Sequence, residues 1–191
     1  CMGKSALGAG IKVGGPNYVS QFMEFEEIAE PPIGAIQDES YLLWLAREWK
    51  VELLWGKHGQ FKTDLNKTAQ AIKSYLYNFE QEFSQEKDYF HLRGQDNILR
   101  YLPVGTVLVR LHEDDSLFDA LGRIAAVKVS GCDLVISIPA DLKNGVTAFL
   151  SGEEGKRIVG GAPILYQSDS ELIQYIPKVQ RIRYASPDRV P

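Results

Sequence analysis

Acidic residues occupy the turns of this sequence at which ligand chemistry would first be sought. Residues 113–115 (Glu-Asp-Asp) follow one apolar run, Pro139 and Asp141 follow a second, and residues 168–169 (Ser-Asp) follow a third. If these runs are parallel strands, their turns lie where α/β proteins offer helix N-terminal amides to phosphate groups. Clustered carboxylates repel a pyrophosphate, and proline has no amide hydrogen to donate. We therefore predict that these turns cap helices and that this chain binds no cofactor.

The histidines and cysteines form no reactive constellation. His91 and His112 fall within strand-like runs and are predicted to be half-buried structural residues, while His58 is predicted to lie in an exposed turn without a nearby carboxylate or second ligand. Cys132 precedes a buried strand and reads as an inert small hydrophobe. Cys1 is the only other cysteine, which excludes a disulfide scaffold and a thiolate metal site. We predict no catalytic, cofactor-binding or metal-ligating residue.

A glycine-rich segment, residues 3–16, opens the sequence. Gly8 and Gly10 match the start of a dinucleotide-binding fingerprint, but no strand precedes them and the third glycine is misplaced. Glycines weaken regular elements by about 0.5–1 kcal/mol each, so a loop packed against neighbouring backbone is the preferred interpretation. The sequence also begins with Cys1 rather than methionine, as expected for a piece of a longer chain.

Alternating strands and helices are expected to position the acidic turns. The apolar runs are short and rich in β-branched residues, and they are separated by helical periods that begin after Asp or Ser. A strand without a polar face implies a parallel sheet covered by helices. The sequence thus predicts an α/β fold with an open, mostly parallel Rossmann-like sheet over about residues 90–185, preceded by a helical segment. Strands are predicted at 98–102, 106–112, 133–139, 163–166 and 180–184, and helices at 117–128, 146–154 and 171–175.

The preceding helical segment has two parts. Residues 39–54 follow the possible cap Asp38 and carry Trp44 and Trp49, with Trp55 directly after. Such an apolar stripe is usually core, and a subunit or partner interface is the alternative. Residues 63–84 keep a 3.6-residue apolar period for five turns, which predicts a long helix.

Bulk composition excludes several classes of protein. The net charge of −4 and the absence of a Lys/Arg cluster argue against nucleic-acid binding. No apolar run approaches the roughly 20 residues of a transmembrane helix, and we expect no signal peptide. We expect a cytoplasmic protein.

Two stretches carry a family resemblance. Residues 12–16, Lys-Val-Gly-Gly-Pro, with Tyr18 two positions on, resemble the end of the catalytic domain of glutamate-semialdehyde (1-pyrroline-5-carboxylate) dehydrogenases, members of the aldehyde dehydrogenase superfamily. Residues 94–103, Gly-Gln-Asp-Asn-Ile-Leu-Arg-Tyr-Leu-Pro, resemble the opening of the C-terminal domain of the bifunctional proline utilisation A enzymes. The two matches occur in the family's order.

The resemblance implies NAD-dependent oxidation of glutamate semialdehyde to glutamate in a parent enzyme of proline catabolism, with FAD in its proline dehydrogenase part. It divides the chain into a catalytic-domain tail (1–30), a helical connector (31–88) and a Rossmann-like C-terminal domain (89–191). The family's nucleophilic cysteine, general-base glutamate and cofactor-binding domain all lie upstream of the glycine-rich segment, and neither Cys1 nor Cys132 matches the nucleophile. The chain by itself is therefore expected to be inactive.

The implied role is architectural. In the family this domain covers the channel between active sites or supports oligomer contacts, so the expected partners are the rest of the parent polypeptide and further copies in a homo-oligomer. Two alternatives stay open from the residues alone. One is a stand-alone adaptor that docks a partner through its Trp-rich helix, and the other is an α/β domain that binds a small molecule.

Overall fold

The computed structural model describes residues 58–190. The glycine-rich segment, the Trp-rich helix and the boundary at residue 30 lie outside these residues. Within them are five α-helices and six strands. The helices are α1 (Lys62–Asn78), α2 (Leu117–Val129), α3 (Gly145–Ser151), α4 (Glu153–Val159) and α5 (Asp169–Tyr175), and the strands are β1 (Lys87–Asp88), β2 (Ile98–Leu99), β3 (Thr106–Arg110), β4 (Asp133–Pro139), β5 (Ile164–Gln167) and β6 (Arg181–Arg183).

The main sheet has four parallel strands in the order β5-β4-β3-β6. Val107 of β3 lies opposite Leu134 of β4 and Arg181 of β6. The first main-sheet strand therefore lies between the second and the fourth, which is the arrangement of one half of a doubly wound sheet. The predicted α/β fold with a mostly parallel Rossmann-like sheet is confirmed.

Helices cover both faces of this sheet. On one face, α1 to α4 bury a large core with the inward side chains of β3 and β4, including the fully buried Leu65, Leu121 and Ile136. On the other face, Leu172 of α5 packs with Leu108 and Val135, and this second core is small. Coverage of both faces explains why β4 is apolar along almost its whole length.

Three helices begin with a capping box, in which the cap side chain and the third helical residue exchange hydrogen bonds with the backbone. The cap residues are Ser116 for α2, Asn144 for α3 and Ser168 for α5. The turn after β3 thus caps its helix with a hydroxyl. The prediction that its carboxylates act as caps is wrong for Asp115, whose side chain is buried and bonded elsewhere.

Two of the differences from the predicted boundaries change the arrangement of the elements. Ile98–Leu99 pairs antiparallel with Lys87–Asp88 in a separate two-stranded sheet, so the run 98–102 is not part of the main sheet. The predicted helix 146–154 is two helices, because Gly152 is extended and ends α3. A Cβ on Gly155 would lie 2.2 Å from a carbonyl oxygen of α3, so the two helices approach at a distance only glycine permits.

The predicted long helix is present as α1, which continues into a π-helical turn at Phe79–Phe83. No helix within residues 58–190 is both long enough and apolar enough to span a membrane.

Candidate functional site

The crevice between the carboxyl ends of β3 and β6 is where a sheet of this topology receives a ligand, because the strand order reverses there. In this chain Arg123 of α2 reaches into it. Its Nη1 donates hydrogen bonds to the carbonyl oxygens of Arg110 (2.8 Å) and Arg183 (3.3 Å), the last residues of the two strands. Its Nε donates to the carbonyl oxygen of Asp119 at 2.6 Å. The guanidinium group therefore bridges the two strand ends.

Asp115 lies at the centre of the crevice with only 1% of its side chain exposed. One carboxylate oxygen accepts hydrogen bonds from Arg123 and from the backbone amide of His112, the latter at 3.1 Å. The other oxygen accepts from Nη1 of Arg189 at 2.6 Å. A buried carboxylate is tolerated only when it is paired and hydrogen-bonded, and here both oxygens are satisfied.

Arg189 comes from the short helical turn Pro187–Arg189 near the C-terminus. Its Nη1 also lies 3.4 Å from a carboxylate oxygen of Asp119. The hydrogen bond to Asp115 raises the pKa of Arg189 above its usual value, more than burial lowers it. For Asp119, burial acts to raise the pKa, but hydrogen bonds from Ser116 and Arg189 bring it below its usual value. The side chains of two arginines and two aspartates thus occupy the crevice, and their charges neutralise one another.

A second polar cluster lies on the α5 face at the same end of the sheet. The side chain of Arg110 is only 4% exposed, and its Nη1 donates to Ser137 Oγ and to the carbonyl oxygen of Gln167, both at 3.0 Å. Its Nη2 donates to Asp169 at 2.7 Å. Burial raises the pKa of the neighbouring Tyr184. The cluster ties β3, β4 and β5 to the start of α5, and we assign it a structural role.

The structure corrects two of the histidine predictions. His91 lies in an exposed turn with φ of 45°, not in a strand, because Asp88 Oδ1 accepts hydrogen bonds from the amides of Phe90 and His91 and closes the turn. His58 Nε2 lies 3.7 Å from Glu154 Oε2, so a carboxylate is near it after all. Sequence reasoning missed this contact because Glu154 is distant along the chain.

His112 follows β3 and is half-buried in the turn rather than within a strand. It offers a ligand atom within 4.8 Å of those of Glu113 and Asp114, which are exposed. Its Nδ1 already accepts a hydrogen bond from the amide of Asp114 at 3.2 Å. Hydrogen bonding within the turn accounts for this arrangement, so we assign no metal site to it. Cys132 is a half-buried free thiol that packs against the main core.

Residues 89–104 leave several large apolar side chains exposed. Every residue from 89 to 104 is exposed, and the two-stranded sheet of β1 and β2 is its only regular structure. Five large apolar side chains in it are between 40% and 71% exposed, and we call them the hairpin surface: Tyr89, Phe90, Leu92, Ile98 and Leu99. Several large apolar side chains left exposed in one short segment make it a candidate for an interaction site. The aromatic residues of 89–101 are the sequence signal for this surface, although their spacing also fits a strand.

A groove with a volume of about 1110 Å³ adjoins this segment. It lies between the C-terminal half of α1, the outer side of α2 and the edge strand β6. Its apolar lining includes Tyr75, Phe79, Leu102 and Val127, and Cys132 lies in its wall. Sequence analysis did not foresee it, because its walls come from four separate parts of the chain.

Comparison with known proteins gives no further identification. No family model matches the sequence, and no curated protein matches it significantly.

Proposed function

We propose that this chain is the non-catalytic C-terminal portion of an NAD-dependent glutamate-semialdehyde (1-pyrroline-5-carboxylate) dehydrogenase of proline catabolism. Its task is to cover the internal channel between active sites or to support oligomer contacts. The observation that carries the proposal is the filled crevice. Asp115, Arg123 and Arg189 occupy the place where a doubly wound sheet would bind a dinucleotide.

The hairpin surface is the second observation that supports the proposal. A domain that exposes Phe90 to 71% and Leu92 to 52% has a surface suited to burial against protein. In the proposed parent enzyme that surface packs against another part of the polypeptide or against a second subunit.

The first test is made on the parent gene and its product. The coding sequence before Cys1 is expected to contain a cysteine-nucleophile segment, and an open reading frame that starts at Met2 overturns the proposal. In the full-length enzyme, Phe90→Ser with Leu92→Ser is expected to disrupt the oligomer or to introduce a lag in NADH formation from proline. Oxidation of added glutamate semialdehyde by the upstream domain is expected to persist.

A matched control variant comes from α5. Ile173 is 63% exposed but lies far along the chain from the hairpin surface, so Ile173→Ser is expected to leave both the oligomer and the lag unchanged. Light scattering and the proline-coupled NADH time course are the two measurements. If the hairpin variant and the control behave alike in both, the docking role is refuted.

The second test addresses the crevice with the 191-residue chain. A ligand at 100 times its Kd stabilises the folded state by about 2.7 kcal/mol, which gives a clear rise in melting temperature. We expect no rise with NAD at millimolar concentration. A rise that Arg123→Ala removes would show that the crevice accepts a dinucleotide, and the proposed loss of cofactor binding would be wrong.

The hairpin surface also favours one alternative, a stand-alone adaptor domain that docks a partner protein. The two functions differ in their upstream sequence, because an adaptor requires no dehydrogenase segment. A small-molecule binding role has less support. The groove volume of 1110 Å³ exceeds the roughly 300–1,000 Å³ of typical ligand pockets, and the crevice is filled.

A further inference from the structure

The groove beside β6 is lined by apolar side chains that remain in contact with water. Phe83, Tyr101, Leu102 and Val104 all line it, and each of them is between 44% and 66% exposed. None of the four belongs to the hairpin surface. Moving apolar surface out of water lowers the free energy, so covering these side chains is favourable. The first requirement on an occupant is therefore that it brings apolar side chains to the groove.

Charges on the border of the groove set the second requirement. Arg181 and Arg183 of β6 line it, and both are exposed. Ile182 between them packs into the second core, so the two arginine side chains point to the opposite face of the sheet, where the groove lies. In the part of the chain that the structure describes, neither guanidinium group makes a hydrogen bond or an ion pair, whereas Arg100 on the same border pairs with Glu86 at 3.3 Å. The occupant should therefore bring carboxylates to β6, although the chain as a whole carries a net charge of −4.

The position of β6 in the sheet sets the third requirement. It is the last strand in the order β5-β4-β3-β6, so its outer edge pairs with no other strand among the described residues. The free backbone groups of an edge strand can form hydrogen bonds with an added extended segment. A metabolite has no backbone to pair in this way, and the groove, at about 1110 Å³, is larger than the roughly 300–1,000 Å³ of typical small-ligand sites. These features fit an extended polypeptide segment.

A strand added to β6 would place its side chains in a defined register. Side chains directly opposite each other on neighbouring strands point to the same face, and successive residues of one strand alternate between the faces. The residues opposite Arg181 and Arg183 would therefore be two positions apart, and both would face the groove. Two carboxylates at that spacing would each meet one arginine, while the residue between them would lie beside Ile182.

We propose that the groove binds an acidic, apolar segment of a partner protein, which adds as a strand to the free edge of β6. Two carboxylates that are two residues apart pair with Arg181 and Arg183, and apolar side chains further along the same face of the segment fill the groove. The hairpin surface is formed by other residues, so this interaction is separate from the docking role proposed above. It does not depend on the identity of the parent enzyme.

Synthetic peptides test the proposal on the 191-residue chain with Cys1→Ser. The probe is a fluorescein-labelled peptide in which two glutamates, two positions apart, are followed by leucines at alternate positions. One control peptide has lysines in place of the glutamates, and a second has the two glutamates at adjacent positions. We expect fluorescence anisotropy to show that the probe binds about tenfold more tightly than either control peptide.

Variants of the chain identify the binding site. Arg181→Glu with Arg183→Glu should reverse the preference, so that the lysine peptide binds more tightly than the probe, a result that unfolding cannot produce. Lys156→Glu with Lys178→Glu is the matched control and should leave the preference unchanged, because it alters the net charge equally at exposed residues that do not line the groove. Cys132 lies in the groove wall, so the bound probe should slow the reaction of its thiol with a maleimide severalfold.

Four outcomes overturn the proposal. If the probe does not bind, or binds no better than the lysine peptide, the arginines do not select the occupant. If the peptide with adjacent glutamates binds as tightly as the probe, the occupant is not a strand in this register. Binding that Phe90→Ser with Leu92→Ser abolishes lies at the hairpin surface. Protection of Cys132 without any peptide, lost on dilution together with a dimer, shows that a second copy of the chain occupies the groove.

Discussion

Replacing Asp115 with asparagine is expected to be among the most costly single substitutions in the crevice. The side chain is 1% exposed and receives hydrogen bonds from Arg123, Arg189 and the amide of His112. Asparagine keeps the volume but removes the negative charge, and its NH₂ group faces a guanidinium donor where an acceptor is needed. The substitution therefore leaves two arginines without their shared counter-ion.

The size of the effect follows from what each arginine retains. Breaking a buried ion pair by removing one partner costs about 3–5 kcal/mol when the other charge stays uncompensated. Arg123 keeps three carbonyl acceptors, and Arg189 keeps Asp119 and is 20% exposed, so part of the loss is recovered. We expect the free energy of unfolding to fall by about 2–4 kcal/mol, within the range known for buried charged hydrogen bonds and ion pairs.

Urea unfolding followed by circular dichroism measures this quantity, with an unchanged m-value as the check that the denatured state is unaltered. Asp114→Asn is the matched control, because Asp114 is the adjacent carboxylate and its side chain is 73% exposed. Its effect should stay within about 0.5 kcal/mol, as for most surface substitutions. If Asp115→Asn is equally mild, the crevice is not held together by this ion network, and the physical basis of the filled-crevice interpretation fails.

Three further predictions concern other parts of the domain. Asp119 has a lowered pKa in the folded state, so its contribution to stability is present above its usual pKa and is lost as the pH falls below about 4. The substitution Asp119→Asn should therefore flatten the acid limb of a plot of urea midpoint against pH. Gly155→Ala should destabilise the chain by about 1–3 kcal/mol by overpacking, while Gly59→Ala, where a Cβ meets no atom within 4 Å, should be nearly neutral in the same urea titration. Leu172→Ala should lower the melting temperature through a loss of about 2–5 kcal/mol, because Leu172 is 1% exposed, whereas the neighbouring Ile173→Ala should not.

The parts of the fold that depend on local pattern were predictable from the sequence. The apolar run 133–139 predicted β4, and the Asp and Ser residues before Leu117 predicted the start of α2, because strand burial and helix capping are encoded within a few residues. The predicted helix 146–154 failed because the break depends on a tertiary fact. Gly155 has to pass close to the backbone of α3, and a helical period cannot express that requirement.

The sequence predicted only the sign of the charge at the candidate site, and not the residues that pair with it. The acidic turn after β3 was visible, and so was its conflict with a pyrophosphate. Its partners were not, because Arg189 is 74 residues away, and no local pattern pairs Asp115 with Arg123, which is eight residues further along the chain. The groove was equally invisible, since it is formed by α1, α2, residues 100–104 and β6 together.

The arrangement of charges in the crevice bears on whether a dinucleotide could displace its contents. A pyrophosphate would have to separate Arg189 from Asp115 and then lie next to a buried carboxylate without its counter-ion. The carboxylate would lose its pairing and the phosphate would meet a like charge, so both changes oppose binding. Removing Arg189 alone would therefore not create a phosphate site, because Asp115 and Asp119 would remain. Only a change in the aspartates could create a phosphate site. For this reason we attribute the proposed loss of cofactor binding to the turn after β3 and not to the C-terminal segment that carries Arg189.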